Sequence, residues 1–307
     1  MLESIHSSIN GSRPEITRIY YGLLSALLSV LSVIVAKNCV GGVDTFQLSS
    51  TQGAWVALLA TTINSAVGGE ELVPQDPFKH KLFIIRGLMS IPAVSLYAMG
   101  AQNLPSTITI ALYNCNVFFA MIIRCIITKT LPTLAQVGLV FFYASGMAIL
   151  TSPELLSGKF NLDPSIEPLY MLCPLFSALG NAIVTNILQL CKGGVTPNQS
   201  CFWLGVFNSS LLGLHLATTS TSTFEFRDQF LWLPISGIIV YLMQNTMAQA
   251  CKFEKRAYVL SPVLSMNIIF MVMIQAIIGN VPSLTQLLGV AILLSAVVLL
   301  AVTKDGK

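Results

Sequence analysis

The side chains of this chain that could do chemistry are amides and hydroxyls set inside long apolar runs. Tyr113-Asn114-Cys115-Asn116 lies near the middle of one run. In another, Asn181, Thr185 and Gln189 recur at i, i+4 and i+8, which puts them on one helical face, with Asn186 off it. Tyr241, Gln244 and Asn245 fall within one face of a third, and Ser261, Ser265 and Asn267 follow in a fourth, where Pro262 frees a backbone carbonyl. Pro174 and Pro234 kink the second and third of these runs, and Pro92 kinks a fifth. An unpaired amide in hydrocarbon costs about 2–7 kcal/mol. These groups must therefore face one another, a kinked backbone or a watery cavity. Two roles are open to each: lining a site for a polar solute, or tying helices together at about 0.6 kcal/mol apiece.

Catalytic constellations are missing. The histidines are His6, His80 and His215, and none has a carboxylate or Cys at metal-ligand spacing. No nucleophile elbow, phosphate loop or zinc-protease motif occurs, nor a pair of carboxylates within a run. The expectation is therefore no enzyme, no cofactor and no metal. The seven cysteines, Cys39, Cys115, Cys125, Cys173, Cys191, Cys201 and Cys251, lie in or beside apolar runs without a CxxC pair and read as small hydrophobes. No Asp or Glu falls in the middle of a run, which favours facilitated diffusion or exchange over proton coupling. Lys37, Arg86 and Arg124 lie near the ends of runs, where long cationic side chains snorkel to the interface; contact with a ligand or gate is their other role. With no cation at mid-depth, a phosphate-bearing cargo would lack a partner. Ser25, Ser29, Ser32 and Ala36 form a small-residue stripe that suits close helix packing. The glycosylation patterns at Asn10, Asn198 and Asn208 fall on the expected cytosolic side or inside a run, and are expected to be unused.

The elements that must hold these groups follow from composition. Of 307 residues, 54% are hydrophobic and 9% charged, with a mean hydropathy of +0.76. Soluble domains carry about 25% charged residues, so a soluble enzyme, a disordered chain and a nucleic-acid binder are excluded. A net charge of +3 makes no polybasic surface. A spanning helix needs about 20 apolar residues. Such stretches lie at about 19–40, 44–66, 82–102, 106–128, 133–151, 168–190, 198–217, 230–251, 257–279 and 284–303. Period-2 alternation is absent, which argues against a transmembrane barrel. The prediction is an all-α, ten-helix transmembrane bundle.

Charge orients it. Arg13, Arg18, Lys79, Lys81, Arg86, Arg124, Lys129, Lys192, Lys252, Lys255, Arg256, Lys304 and Lys307 fall on one side, against Lys37, Lys159 and Arg227 on the other. The positive-inside rule then predicts both termini cytosolic, which requires an even number of spans. An internal repeat divides the ten. Cys39-Val40-Gly41-Gly42-Val43 with Gln47 recurs 152 residues later as Cys191-Lys192-Gly193-Gly194-Val195 with Gln199. Pro132–Gln136 recurs 150 residues later as Pro282–Gln286, and Gly87 corresponds to Gly237. A five-span unit is odd in number, so its second copy enters the membrane from the other side. Residues 19–151 and 168–303 are then two inverted five-helix repeats, with a cytosolic tail at 1–18, a connecting loop at 152–167 and a second cytosolic tail at 304–307. Inverted repeats are typical of secondary transporters.

Arg86-Gly87, Tyr97-Ala98, Pro132–Gln136 and Gly146, echoed by Gly237, Ser261-Pro262, Pro282–Gln286 and Gly289, make the chain resemble the drug/metabolite transporter superfamily, in particular its EamA-type, solute carrier 35-like branch. That resemblance implies a five-plus-five transporter. Many members have Glu before the fifth and tenth spans, where this chain has Thr130 and Asn280, and Ser-Pro in the fourth span, where it has Leu112-Tyr113.

The expected function is multi-pass transport of a small neutral or zwitterionic solute by alternating access, with the lipid bilayer as the other partner and no nucleic acid. A nucleotide-sugar transporter of the same superfamily and a non-transporting scaffold or lipid-modifying protein are the alternatives. Whether it acts as a monomer or homodimer is open. The expected site lies near the midplane between the repeats and is formed by Tyr97, Tyr113, Asn114, Asn116, Asn181, Gln244, Asn245, Ser261, Ser265 and Asn267.

Overall fold

Short polar signals begin the helices. Before the helix that starts at Pro77, the Asp76 carboxylate accepts from the Phe78 N–H at 2.9 Å, and Pro77 occupies the first turn, where its missing N–H does no harm. Three other helices start with a reciprocal capping box. The Thr133 N–H donates to Gln136 Oε1 at 2.9 Å while the Gln136 N–H donates to Thr133 Oγ1. Thr196 with Gln199, and Ser283 with Gln286, do the same. The recurrence of Pro132–Gln136 at Pro282–Gln286 thus has a physical content: both copies cap a helix. Asp44, which corresponds to Thr196, lies outside the described residues.

The computed structural model describes residues 14–38, 45–69, 71–156, 167–191, 196–218, 232–253, 257–279 and 281–302. It is all-helical there, with no strand among the described residues. The helices are α1 Pro14–Asn38, α2 Thr45–Ala66, α3 Pro77–Asn103, α4 Ser106–Tyr113, α5 Asn116–Thr128, α6 Leu134–Leu156, α7 Glu167–Leu190, α8 Pro197–Thr218, α9 Trp232–Phe253, α10 Ala257–Leu264, α11 Asn267–Ile277 and α12 Leu284–Val302. Among the described residues, five stretches are long and apolar enough to cross a membrane: Ile19–Ala36, Pro77–Asn103, Ser106–Thr128, Leu134–Pro153 and Leu169–Leu190. Large apolar side chains such as Leu58, Phe141, Leu169, Leu288 and Val298 point outward, as a lipid solvent allows. Most of the connecting loop, at 157–166, residues 1–13 of the first tail, residue 303 and the whole second tail, 304–307, lie outside the described residues.

Two of the ten apolar runs are divided. The fourth becomes α4 and α5, and the ninth becomes α10 and α11. Each break is a turn tightened to i→i+3 bonding. The Cys115 N–H donates to Leu112 O and the Val117 N–H to Asn114 O; 151 residues later, the Met266 N–H donates to Val263 O and the Ile268 N–H to Ser265 O.

The most extensive helix pairs are α2 with α8, α1 with α9, α6 with α12 and α3 with α7. Exchanging the two sequence halves converts the first and third pairs into themselves and the second into the fourth. Glycines permit the tightest approach. A Cβ at Gly53 would come 2.7 Å from the Ser209 backbone N, and one at Gly205 would come 2.5 Å from that of Ala57, so α2 and α8 touch backbone to backbone. Gly87 on α3 receives the Phe207 ring from α8, and Gly237 on α9 receives the Trp55 side chain from α2. The largest apolar core joins α1, α4, α5, α6, α11 and α12 around Val30, Ile110, Leu150, Ile268 and Leu293.

Candidate functional site

Helices α1, α2, α3, α4, α7, α8 and α9 surround a cavity of about 80 Å³, room for several water molecules. One end of the bundle carries Lys79, Lys81, Lys129 and Lys252 and is called the basic end here. The lining comes from the ends of α1 and α3 away from it, Ser29 to Ala36 and Ser90 to Ala101, and from the middle of α7 and α9, Ser177 to Val184 and Val240 to Gln244. The walls are mainly apolar with a few converging polar groups, the usual make-up of a small-molecule pocket.

The structure sorts the expected site residues into separate places. Tyr97, Tyr113, Asn181 and Gln244 line the cavity. The Tyr97 and Tyr113 rings sit 4.5 Å apart between centroids, tilted by 49°, and form an aromatic wall. Gln244 Oε1 is buried and has no hydrogen-bond partner.

Asn114, Asn116, Ser265 and Asn267 do not line the cavity. They are all but fully buried where the two divided helices cross. Asn114 Nδ2 donates to Asn267 Oδ1 at 3.0 Å and to the Ser265 carbonyl at 3.2 Å, while Ser265 Oγ donates to Asn116 Oδ1 at 3.3 Å. Each half thus ties its helix break to that of the other. The tightened turns explain this: they swing side chains that a regular helix would direct elsewhere onto one crossing point.

Asn245 also lies apart from the cavity. A step of one residue rotates a helix by 100°, so Gln244 meets the cavity and Asn245 turns to α8. There Asn198 Oδ1 accepts from Tyr241 Oη at 2.8 Å and from Asn245 Nδ2 at 3.2 Å. Ser261 is within α10, but its side chain lies outside the described residues.

Sequence reasoning passed over several lining groups. Ser29 and Ser32 belong to the small-residue stripe expected only to pack; Ser25 of that stripe does tie helices, donating to the Met243 carbonyl at 3.1 Å. Gln52, Ser90 and Ser177 also line the cavity. Gln52 Nε2 donates to Ser236 Oγ at 2.5 Å, and Ser177 Oγ to the Ala93 carbonyl at 2.5 Å. A lone amide or hydroxyl without periodicity left no signal in the sequence.

Around the first turns of α8, toward the basic end, Phe83 and Cys191 pack with Leu82 and Trp203, and polar contacts complete a plug. Gln199 Nε2 donates to the Glu71 carbonyl at 2.6 Å, Trp203 Nε1 donates to that of Leu72, and His80 meets the Trp203 ring edge-on. Arg86 lies in this plug. Its expected snorkelling is corrected: the side chain is 0% exposed, with Nη1 donating to the Ser200 carbonyl at 2.6 Å and Nε and Nη2 without partners. Nine residues into α3, it is held by α8 too far inside the bundle to reach water. The six described cysteines are free, as expected. Among the described residues, no group of three metal-ligating side chains occurs.

No family model and no curated protein matches this chain. Among solved structures, 28 chains match it. One, described only as "Crystal structure of protein", aligns over 95% of this chain and 99% of its own, with a TM-score of 0.71 and 16% identity. At that identity the likeness speaks for the fold alone: the helical arrangement occurs, over nearly its full length, in a protein of experimentally determined structure.

Proposed function

We propose that the chain is a secondary transporter of the drug/metabolite transporter type. All ten apolar runs cross the membrane as two inverted five-helix repeats, and a small neutral or zwitterionic organic solute moves through the cavity by alternating access. The observation that carries this reading is a cavity between the two halves, walled by two tyrosines and uncharged amides. The packing pairs support the inverted arrangement, since exchanging the halves leaves the set unchanged. So do the matched helix breaks, 151 residues apart. Facilitated diffusion or exchange is the mechanism proposed, because no carboxylate lines the cavity. The basic end faces the cytosol, by the charge bias.

Purified protein reconstituted in liposomes tests the reading against a panel of neutral and zwitterionic metabolites. Saturable uptake of one panel member, inhibited by its close analogues, is expected. Uptake no faster than in protein-free liposomes across the panel would defeat transport, and competition by nucleotide monophosphates alone would favour a nucleotide-sugar cargo. Epitope tags on both termini should stain only after the cytosolic face is made accessible.

A further inference from the structure

Arg86 is a cation sealed inside the bundle with three of its five N–H donors, those of Nε and Nη2, unused. Arginine stays protonated in proteins, and a buried charge without a partner is among the costliest features a fold can carry. Among the described residues no carboxylate pairs with it. Its neighbours are Cys191, Cys201 and Cys251, and the Ser200 carbonyl that holds Nη1. The two idle nitrogens, Nε and Nη2, share one edge of the guanidinium plane. Their parallel N–H bonds form the fork that matches the two oxygens of a carboxylate.

That edge is not alone. Ser200 Oγ is buried without a partner, and so are both amide atoms of Gln189. Cys191, at the end of α7, packs against Phe83, one turn from Arg86. Ser90, one turn from Arg86 on its other side, lines the cavity. Unsatisfied polar atoms therefore occur at the cavity, as Gln244 Oε1 on α9, on α7, as Gln189, and around Arg86 where α3 meets α8. A closed protein interior keeps few such atoms; a path that fills with solute in another state needs them.

We propose that Arg86 receives the carboxylate of the transported solute at its free Nε/Nη2 edge. This rests on the transporter reading and deepens it: the cargo is carboxylate-bearing, a zwitterion rather than a neutral molecule. One guanidinium edge flanked by uncharged donors balances a single negative charge, which suits a carboxylate better than a phosphate dianion.

The test uses purified full-length protein, with acetate, acetamide and inorganic phosphate as probes at matched ionic strength. Acetate should raise the melting temperature, acetamide should not, and phosphate should do so less than acetate. In Arg86→Gln the acetate response should vanish while the protein still folds. Equal responses to acetate and acetamide, a phosphate response exceeding that to acetate, or an acetate response that survives Arg86→Gln would each overturn the proposal. Should Arg86→Gln fail to fold, Arg86→Lys carries the test: it keeps the charge but loses the fork. A reduced acetate response there supports the site, and an undiminished one overturns it. Uptake separates this site from the transporter reading. An acetate response that requires Arg86, in a protein that takes up nothing, keeps the site and removes the transporter. Uptake of a solute unchanged by Arg86→Gln keeps the transporter and removes the site.

Discussion

Two buried polar regions of this bundle look alike in composition and differ in how they are satisfied. At the crossing of the divided helices, Asn114, Asn116, Ser265 and Asn267 are neutral and bonded across the halves, and of the four only Asn114 has a side-chain oxygen without a partner. In the plug, Arg86 keeps two idle nitrogens and Ser200 Oγ is idle; on α7, Gln189 has neither amide atom paired. The first region is a knot that a single arrangement completes. The second is incomplete in the state described. Polar side chains within a bundle are thus not a site by virtue of polarity alone; the two regions differ in how many of their buried donors and acceptors are paired.

The largest expected difference between them is in stability. Arg86→Met removes a buried charge and fills its volume with an apolar chain. It should be neutral or stabilising by about 1–4 kcal/mol, read as an unchanged or raised melting temperature. A clear loss would erase the contrast, since Arg86 would then be holding the bundle together.

Asn267→Ala should act in the opposite direction. It removes one of the two partners that Asn114 Nδ2 has on the other half, leaving the Ser265 carbonyl, which costs about 0.5–1.5 kcal/mol. The melting temperature should fall while the affinity for a transported solute stays the same. Unchanged stability with weakened binding would return the knot to the site that the sequence first assigned it to.

Gln244→Ala should be smaller still in stability, because Gln244 Oε1 has no partner to lose. If the cavity holds the solute, deleting the amide removes one hydrogen bond of about 0.5–1.5 kcal/mol, or up to about tenfold in affinity. Titration of the variant with the solute found in the uptake panel reads this directly; unchanged affinity would take the cavity out of the binding site.

The smallest effect expected is none. Cavity and knot contain no carboxylate, so imposing a proton gradient on reconstituted protein should not alter steady-state accumulation. Accumulation above equilibrium that a protonophore collapses would require a proton carrier that neither region supplies.

The sequence by itself determined the helical class, the positions of the apolar runs and which side chains are polar within them. Composition and uninterrupted hydropathy decide that much, because each run satisfies its own backbone only as a helix. It also marked matched positions in the two halves, such as Gly87 with Gly237, and Pro132–Gln136 with Pro282–Gln286. Their roles as aromatic seats and capping boxes became visible only with the neighbours in place. Which polar residues meet was beyond its reach. Gln244 and Asn245 are adjacent, yet one faces the cavity and the other α8. Asn114 and Asn267 are 153 residues apart, yet they share a hydrogen bond. Arg86, expected at a water-facing end, is enclosed by a helix that begins more than a hundred residues later. The physical reason is common to all three. Hydropathy and periodicity are properties of one helix, whereas the satisfaction of a buried polar group depends on which other helix packs against it and at what height, and only the tertiary structure decides that.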